Sequence, residues 1–207
     1  MIRGDLFVIS APSGAGKTSL VKVLTAGLEN IVVSVSHTTR APRPGEMNGR
    51  DYHFVERTRF EGMLAAGAFL EHAQVFDHFY GTTKANVDET LAIGLDVILE
   101  IDWQGARKVR EAMPGCVSIF ILPPSLHTLE GRLRARGQDS DAIIARRMRD
   151  AIAEMSHYLE YDYLVVNDDF ELAAAQLTSI FIARRLRRER QTGVLQGLLG
   201  GLLATLR

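Results

Sequence analysis

A glycine-rich loop contains the residues of this chain that are best suited to chemistry. It follows a short apolar run and precedes a helical pattern. Backbone N–H groups in such a loop, the dipole of the following helix and the ammonium of Lys17 together favour a bound phosphate. The hydroxyl of Thr18 stands where it can reach a magnesium ion on the phosphates. We therefore predict a nucleotide-phosphate site made of Ala11, Pro12, Ser13, Gly14, Ala15, Gly16, Lys17 and Thr18.

The first residue of this loop departs from the pattern G-x-x-x-x-G-K-[ST], because Ala11 stands where glycine is usual. The strand before the loop and the helix after it compensate for the mismatch. An alanine is tolerable there if the position needs no positive φ. The alternative interpretation is an ordinary glycine-rich turn.

Two further groups of cations indicate a second phosphorylated ligand. Arg40, Arg43 and Arg50 lie in a loop rich in proline and glycine, and six more arginines flank Gly137. A unit pair of like charges at ~4 Å repels by about 1 kcal/mol even in water, and arginine offsets this repulsion through bidentate hydrogen bonds. A hydrolase needs to bind only one polyanion, so this arrangement favours transfer of a phosphoryl group between two phosphorylated partners.

The sequence offers no evident general base, and the predicted reaction needs none. A phosphate monoester has a second pKa of about 6, so its oxygen is already ionised at neutral pH. Catalysis would then consist of positioning and charge stabilisation. An apolar strand at 97–102 delivers Asp102 near its end, which suits a magnesium ion or its waters. Tyr52 and Tyr80 can add hydroxyl donors to the acceptor phosphate.

Composition predicts an ordinary globular protein. The 207 residues are 46% hydrophobic and 24% charged, and the net charge of −1 gives no global field for nucleic acid or an anionic membrane. Cys116 is the single cysteine, which excludes an internal disulfide and fits a reducing compartment. The first apolar run is too short for a signal peptide, and no apolar window is long enough to span a membrane. We expect a soluble, cytoplasmic protein.

Strands that alternate with helices predict an α/β fold, a parallel sheet with helices on both faces. Within it we predict a helix at 58–66 with Thr58 as N-cap and Glu61 completing a capping box. We also predict a turn at 80–83 and a helix at 171–190. The predicted domains are a core (1–35, 91–125 and 157–207), a small α+β insertion (36–90) and a helical lid (126–156).

Several motifs, in this order, resemble those of the guanylate kinase family over residues 4–190. The shared motifs are the phosphate loop, Ser-Val-Ser-His-Thr-Thr-Arg-Ala-Pro-Arg-Pro-Gly-Glu (34–46), Gly-Arg-Asp-Tyr-His-Phe-Val (49–55), Phe-Leu-Glu-His-Ala (69–73), Tyr-Gly-Thr (80–82), Glu-Ile-Asp-Trp-Gln-Gly (100–105), Arg-Leu-Arg-Ala-Arg-Gly (132–137) and Val-Asn-Asp-Asp (166–169). The phosphate loop is common to many families, whereas the 34–46 block is specific.

The resemblance implies a P-loop kinase that transfers a phosphoryl group from ATP to GMP with magnesium, in purine metabolism. It implies that Lys17 and the loop bind ATP with Asn167 near the adenine, and that magnesium is bound by Thr18 and Asp102, directly or through water. It assigns GMP binding to Ser36, Arg40, Arg43, Tyr52, Glu71, Tyr80, Thr82, Glu100 and Asp102. Glu71 would accept hydrogen bonds from N1–H and the exocyclic amine of guanine. The catalytic cations would be Lys17, Arg40, Arg43, Arg132, Arg136 and Arg147.

Three other functions stay open at this stage. The chain resembles inactive scaffold domains that bind peptides, although these typically lack an intact phosphate loop. A monophosphate kinase for another base and a regulatory GTPase are the others; Glu71 argues against AMP, and no Asn-Lys-x-Asp motif is present.

The C-terminal region is less informative. Arginines from 184 to 190 complement a helix dipole, with nucleic-acid binding as the alternative. The Leu/Gly-rich tail, 193–207, predicts an amphipathic contact with the chain's own core or with a second subunit. Binding to a membrane surface is the other interpretation of the tail.

Overall fold

The computed structural model describes residues 2–75, 77–135 and 140–204, and its strands form two sheets within those ranges. The strands are β1 (Leu6–Ser10), β2 (Ile31–Val33), β3 (His37–Thr38), β4 (His53–Phe54), β5 (Phe69–Val75), β6 (His78–Thr83), β7 (Asp96–Glu100), β8 (Val117–Leu122) and β9 (Tyr163–Val166).

Helices follow most of these strands, as the sequence predicts. They are α1 (Lys17–Gly27), α2 (Arg57–Ala65), α3 (Lys84–Ala92), α4 (Trp103–Ala112), α5 (Leu126–Ala135), α6 (Asp141–Met155), α7 (Phe170–Arg185), α8 (Arg188–Val194) and α9 (Gln196–Leu203), with a 3-10 helix at Tyr158–Glu160.

The main sheet is parallel, with strand order β2-β7-β1-β8-β9. Its central strands are continuous apolar runs because both faces are covered. Phe7 and Ile9 pack on one face with α1 and α7, whereas Leu6 and Val8 pack on the other with α3 and α4. The predicted α/β fold with helices on both faces is confirmed. Because β1 is central, the loop that follows it opens at the carboxyl edge of the sheet, where ligands of such folds bind.

The second sheet has the order β4-β3-β6-β5 and is built from residues 37–83. The predicted turn at 80–83 is wrong: these residues belong to β6, which pairs antiparallel with both β3 and β5. The predicted capping box is also wrong. Helix α2 begins at Arg57 after Glu56, with no side-chain cap, and Glu61 instead accepts a hydrogen bond from Arg57 at 2.8 Å.

The C-terminal arginines pair with acidic residues at the amino ends of β1 and β7 in the main sheet. Arg184 donates to Asp5 at 2.8 Å, Arg185 to Asp96 at 2.7 Å, and Arg190 to both carboxylates. Asp96 is fully buried, so these cations neutralise a charge that would otherwise be costly. The helix predicted at 171–190 ends at Arg185, so Arg184 and Arg185 make their contacts from the last turn of α7, whereas Arg190 makes its contacts from α8.

None of the helices among the described residues has both the length and the apolar character needed to cross a membrane.

Candidate active site

The phosphate loop joins β1 to α1, and its shape depends on two glycines. Gly14 and Gly16 have φ values of 96° and 95°, a conformation that other residues rarely adopt. Behind the loop, the Asn167 amide donates to the carbonyl of Ala15 at 2.7 Å, and a Cβ on Gly16 would lie 2.2 Å from the Asn167 nitrogen. Asn167 therefore supports the loop from the end of β9.

Ala11 fits this loop without strain. Asn30 is the one non-glycine residue with positive φ among the described residues, so Ala11 does not need the conformational freedom of glycine. This explains why the departure from the motif at position 11 is tolerated.

Lys17 begins α1 and lies among acidic side chains. Burial lowers its pKa from the usual value, and the carboxylates of Glu100, Glu154 and Asp102 partly oppose this shift. The Thr18 hydroxyl donates to Glu100 at 3.3 Å, and the Asp102 carboxylate caps α4 by accepting from the Gly105 N–H at 2.9 Å. The loop thus has a half-buried lysine and hard oxygen donors side by side.

A single cleft of about 730 Å³ extends from the phosphate loop to the second sheet. This volume is in the upper part of the usual range for small-molecule sites, about 300–1,000 Å³. It is lined by most of the predicted site residues, which are Ala11, Pro12, Ser13, Gly14, Gly16, Lys17, Thr18, Ser36, Arg40, Arg43, Tyr52, Glu71, Tyr80, Glu100, Asp102 and Arg147. Residues far apart in sequence therefore meet around one space.

Glu71 is the most buried acid in this cleft, with 3% of its surface exposed. It lies opposite Thr82 across the β5–β6 pair, and the Thr82 hydroxyl donates to Glu71 Oε1 at 2.7 Å. The hydroxyls of Ser36 and Thr82 are 3.1 Å apart and continue this network. Burial raises the pKa of Glu71 to about 7, and the nearby charge of Asp102 adds to this shift, whereas the Thr82 hydrogen bond opposes it.

This raised pKa predicts a pH-dependent stability. A carboxyl group with a higher pKa in the folded than in the unfolded state stabilises the fold at low pH, and this stabilisation is lost as pH rises through the folded pKa. In the wild type, this effect should lower the unfolding free energy by up to about 3 kcal/mol between about pH 5 and about pH 8. We expect the Glu71→Gln variant to lack this decrease. Chemical denaturation at each pH measures it. The exposed Glu61→Gln variant is the control, and identical pH profiles for Glu71→Gln and wild type would contradict the prediction.

Arg40 and Arg43 stand at the opposite side of the cleft from the phosphate loop. The Arg40 guanidinium donates to both oxygens of Glu46, at 2.8 and 2.9 Å, and lies 5.4 Å from the Tyr52 ring centroid. The hydrogen bond to Glu46 raises the pKa of Arg40, and nearby Tyr80 adds to this shift. Glu46 accepts from the Arg43 backbone N–H at 2.7 Å, so it shapes the whole arginine loop. We assigned no role to Glu46 from the sequence, although it follows Arg43 by three residues within the most specific motif.

The predicted lid arginines occupy different places. Arg147 lines the cleft from α6, whereas Arg132 donates to the backbone carbonyl of Asn167 at 2.9 Å. Arg136 lies outside the described residues.

Three other predicted site residues lie behind the wall of the cleft. Ala15 and Asn167 form the back of the loop, and Thr82 lies behind Glu71.

Glu154 is a cleft residue that the sequence did not reveal. It lies close to the Ser13 backbone N–H, and burial raises its pKa to about 7 with the charges of Asp102 and Asp150 adding to the shift. Its spacing of seven residues from Arg147 places both on one face of α6, which is the signal that was available.

The parallel sheet, the loop between its central strand and α1, and the lysine inside the cleft define a phosphate-loop nucleotide-binding protein. The family model described as guanylate kinase matches residues 3–184. The chain is 64% identical to the guanylate kinase of Nitrosococcus oceani over 98% of its own length and 100% of that relative. It is 54% identical to the guanylate kinase of Escherichia coli K12, over 99% of the chain and all of that relative.

A solved structure gives the same result. The guanylate kinase of Anaplasma phagocytophilum superposes with a TM-score of 0.76 and is 40% identical, covering 96% of this chain and 94% of its own. The chain belongs to the guanylate kinase family.

Proposed function

We propose that the protein transfers the γ-phosphoryl group of ATP to GMP, giving ADP and GDP, and so supplies GTP synthesis in purine metabolism. The observation that carries the proposal is the single cleft, which extends from the phosphate loop containing Lys17 to Glu71 on the second sheet. The loop N–H groups and Lys17 bind the ATP phosphates. The same intact residues count against an inactive peptide-binding domain.

The acceptor half recognises GMP by charge and by hydrogen bonds. Arg40 and Arg43, with the hydroxyls of Tyr52 and Tyr80, bind the GMP phosphate and offset its repulsion from ATP. Ionised Glu71 accepts from N1–H and the exocyclic amine of guanine, a pair of adjacent donors that adenine does not present in that arrangement. Ser36, Thr82, Glu100 and Asp102 complete this pocket. The acceptor oxygen is already charged, so no base has to remove a proton.

A helical lid closes on the reacting groups in this proposal. Helices α5 and α6 pack through their own apolar cluster, which supports treating residues 126–156 as a unit. Closure would bring Arg147, Arg132 and Arg136 toward the transferring phosphoryl, with the insertion 36–90 moving toward the core (1–35, 91–125 and 157–207). Such movements exclude water and complete the site only when both substrates are bound.

Magnesium fits the residues at the phosphate loop. Among the described residues, no group of three or more His, Cys, Asp or Glu is arranged to bind a metal ion by itself. Magnesium is commonly bound through one or two carboxylates, waters and the substrate phosphates, so the Thr18 hydroxyl and Asp102 suit it. The ion would neutralise charge on the phosphates of ATP.

We also propose a cytoplasmic enzyme that binds neither nucleic acid nor membranes. The absence of nucleic-acid binding is supported by the C-terminal arginines, because Arg184, Arg185 and Arg190 already pair with Asp5 and Asp96. A homo-oligomer formed through the C-terminal helices is part of the proposal, supported by the exposed leucines of α9. Analytical ultracentrifugation of the Leu198→Glu variant beside wild type tests it.

The proposal is tested by ADP release in a coupled assay. ATP is offered with GMP, AMP, dTMP or no acceptor. We expect rapid ADP formation with GMP and near-background rates with the others. A rate with GMP no higher than the blank would refute the kinase, and equal rates with AMP would refute the role of Glu71.

Replacing Arg43 by methionine should lower kcat/KM for GMP about 100-fold, because the variant loses a charged bidentate contact to the phosphate. The folding free energy should change by less than about 0.5 kcal/mol, as for most exposed side chains. Steady-state kinetics with varied GMP and chemical denaturation measure the two effects. Arg50→Met, in the same exposed loop, is the control. A large loss of stability in Arg43→Met would contradict the proposal that Arg43 serves to bind the GMP phosphate.

A further inference from the structure

Gly105, the third residue of α4, lies between two carboxylates of the acceptor pocket. Its N–H donates to Asp102 Oδ1 at 2.9 Å. A Cβ at this position would lie 2.7 Å from Glu71 Oε2 and 3.3 Å from Asp102 Oδ1. Contacts of Cβ below 3.0 Å essentially do not occur, so any side chain at position 105 would displace the Glu71 carboxylate.

We propose that Gly105 is a positioning residue that determines the specificity for guanine, by leaving room for Glu71 in its base-reading orientation. The inference rests on the proposed function. One oxygen of Glu71 is fixed by Thr82 and the other lies against Gly105, so the carboxylate cannot rotate without losing the Thr82 hydrogen bond. Core helix α4 thereby sets the geometry of a residue on β5, in the other sheet.

Helix propensity alone disfavours glycine at position 105. Glycine is a poor residue inside a helix, and alanine would favour α4. Lys108, one turn later, donates to the backbone carbonyl of His72, so α4 is tied to β5 next to Glu71. The close approach explains why a glycine stands here despite its cost to the helix.

The test compares Gly105→Ala with Gly62→Ala, which adds the same methyl group inside α2 with nothing within 4 Å of the new Cβ. We expect Gly105→Ala to lower kcat/KM for GMP about 10- to 100-fold, the effect of weakened hydrogen bonds to a charged group, with an unchanged KM for ATP. The preference for GMP over inosine monophosphate, which lacks the exocyclic amine, should fall. Gly62→Ala should match wild type in both respects.

The Glu71→Ala background separates positioning from a general packing defect. Removing the Glu71 side chain removes the steric conflict, so adding Gly105→Ala should then change GMP affinity, measured by calorimetry, less than twofold. Equal losses in both backgrounds, or a Gly105→Ala enzyme with wild-type discrimination, would overturn the proposal. Failure of the proposed function is distinguishable, because wild-type protein would then show no GMP-dependent ADP release.

Discussion

Replacing Lys17 by methionine will lower the turnover of phosphoryl transfer about 1,000-fold, the size of effect seen when a group that stabilises transition-state charge is lost. Its ammonium lies at the start of α1 inside the cleft, beside the N–H groups of the loop. The free energy of unfolding should not decrease. Burial lowers the pKa of Lys17, which means that the folded protein bears a cost for its charge, and methionine removes that cost.

Steady-state turnover with saturating ATP and GMP measures the first effect, and urea denaturation measures the second. Lys22→Met is a matched control, because Lys22 is exposed on the same helix and should tolerate the change. A Lys17→Met enzyme with turnover near that of wild type, while Lys22→Met is also active, would show that Lys17 does not act on the transferring phosphoryl.

Replacing Glu71 by glutamine will lower kcat/KM for GMP about 100- to 1,000-fold and reduce the preference for GMP over AMP. The amide preserves the size of the side chain and an acceptor for the Thr82 hydroxyl. It loses the charge, however, and it presents an N–H group to a base edge made of donors. A buried donor that faces another donor is left without a partner, which is why polar sites discriminate strongly.

The acceptor panel of GMP and AMP, measured for wild type, Glu71→Gln and Glu61→Gln, gives the change in discrimination. Glu61 is exposed on α2 and pairs with Arg57, so its substitution should leave kinetics unchanged. If Glu71→Gln preserved both the rate with GMP and its ratio to AMP, base recognition would have to lie elsewhere in the cleft.

The features predicted correctly from the sequence are those that depend on local order. The run β1, loop and α1 is contiguous, so its strand–loop–helix order follows from neighbouring residues alone. The residues of β6 were predicted as a turn because Tyr80-Gly81-Thr82 has turn chemistry, but pairing with β3 and β5 overrides it. Gly81 serves packing here: a Cβ would lie 2.9 Å from the Phe69 ring.

Features that depend on distant partners escaped prediction. Glu154 joins the cleft only because the fold places α6 and the phosphate loop around the same space. Arg185 and Arg190 were predicted to complement a helix dipole, yet their partner Asp96 is about half the chain away and fully buried. A single sequence shows which charges exist but not which of them meet.

We propose that one cleft passes a phosphoryl group from ATP to GMP. Phosphorus-31 NMR of the enzyme with ATP, magnesium and GMP tests it most directly, because it resolves every phosphate product at once. We predict ADP and GDP in equal amounts, with no build-up of inorganic phosphate and with conversion about 1,000-fold slower in the Lys17→Met variant. ADP accompanied by inorganic phosphate and no GDP would show a hydrolase and contradict the account.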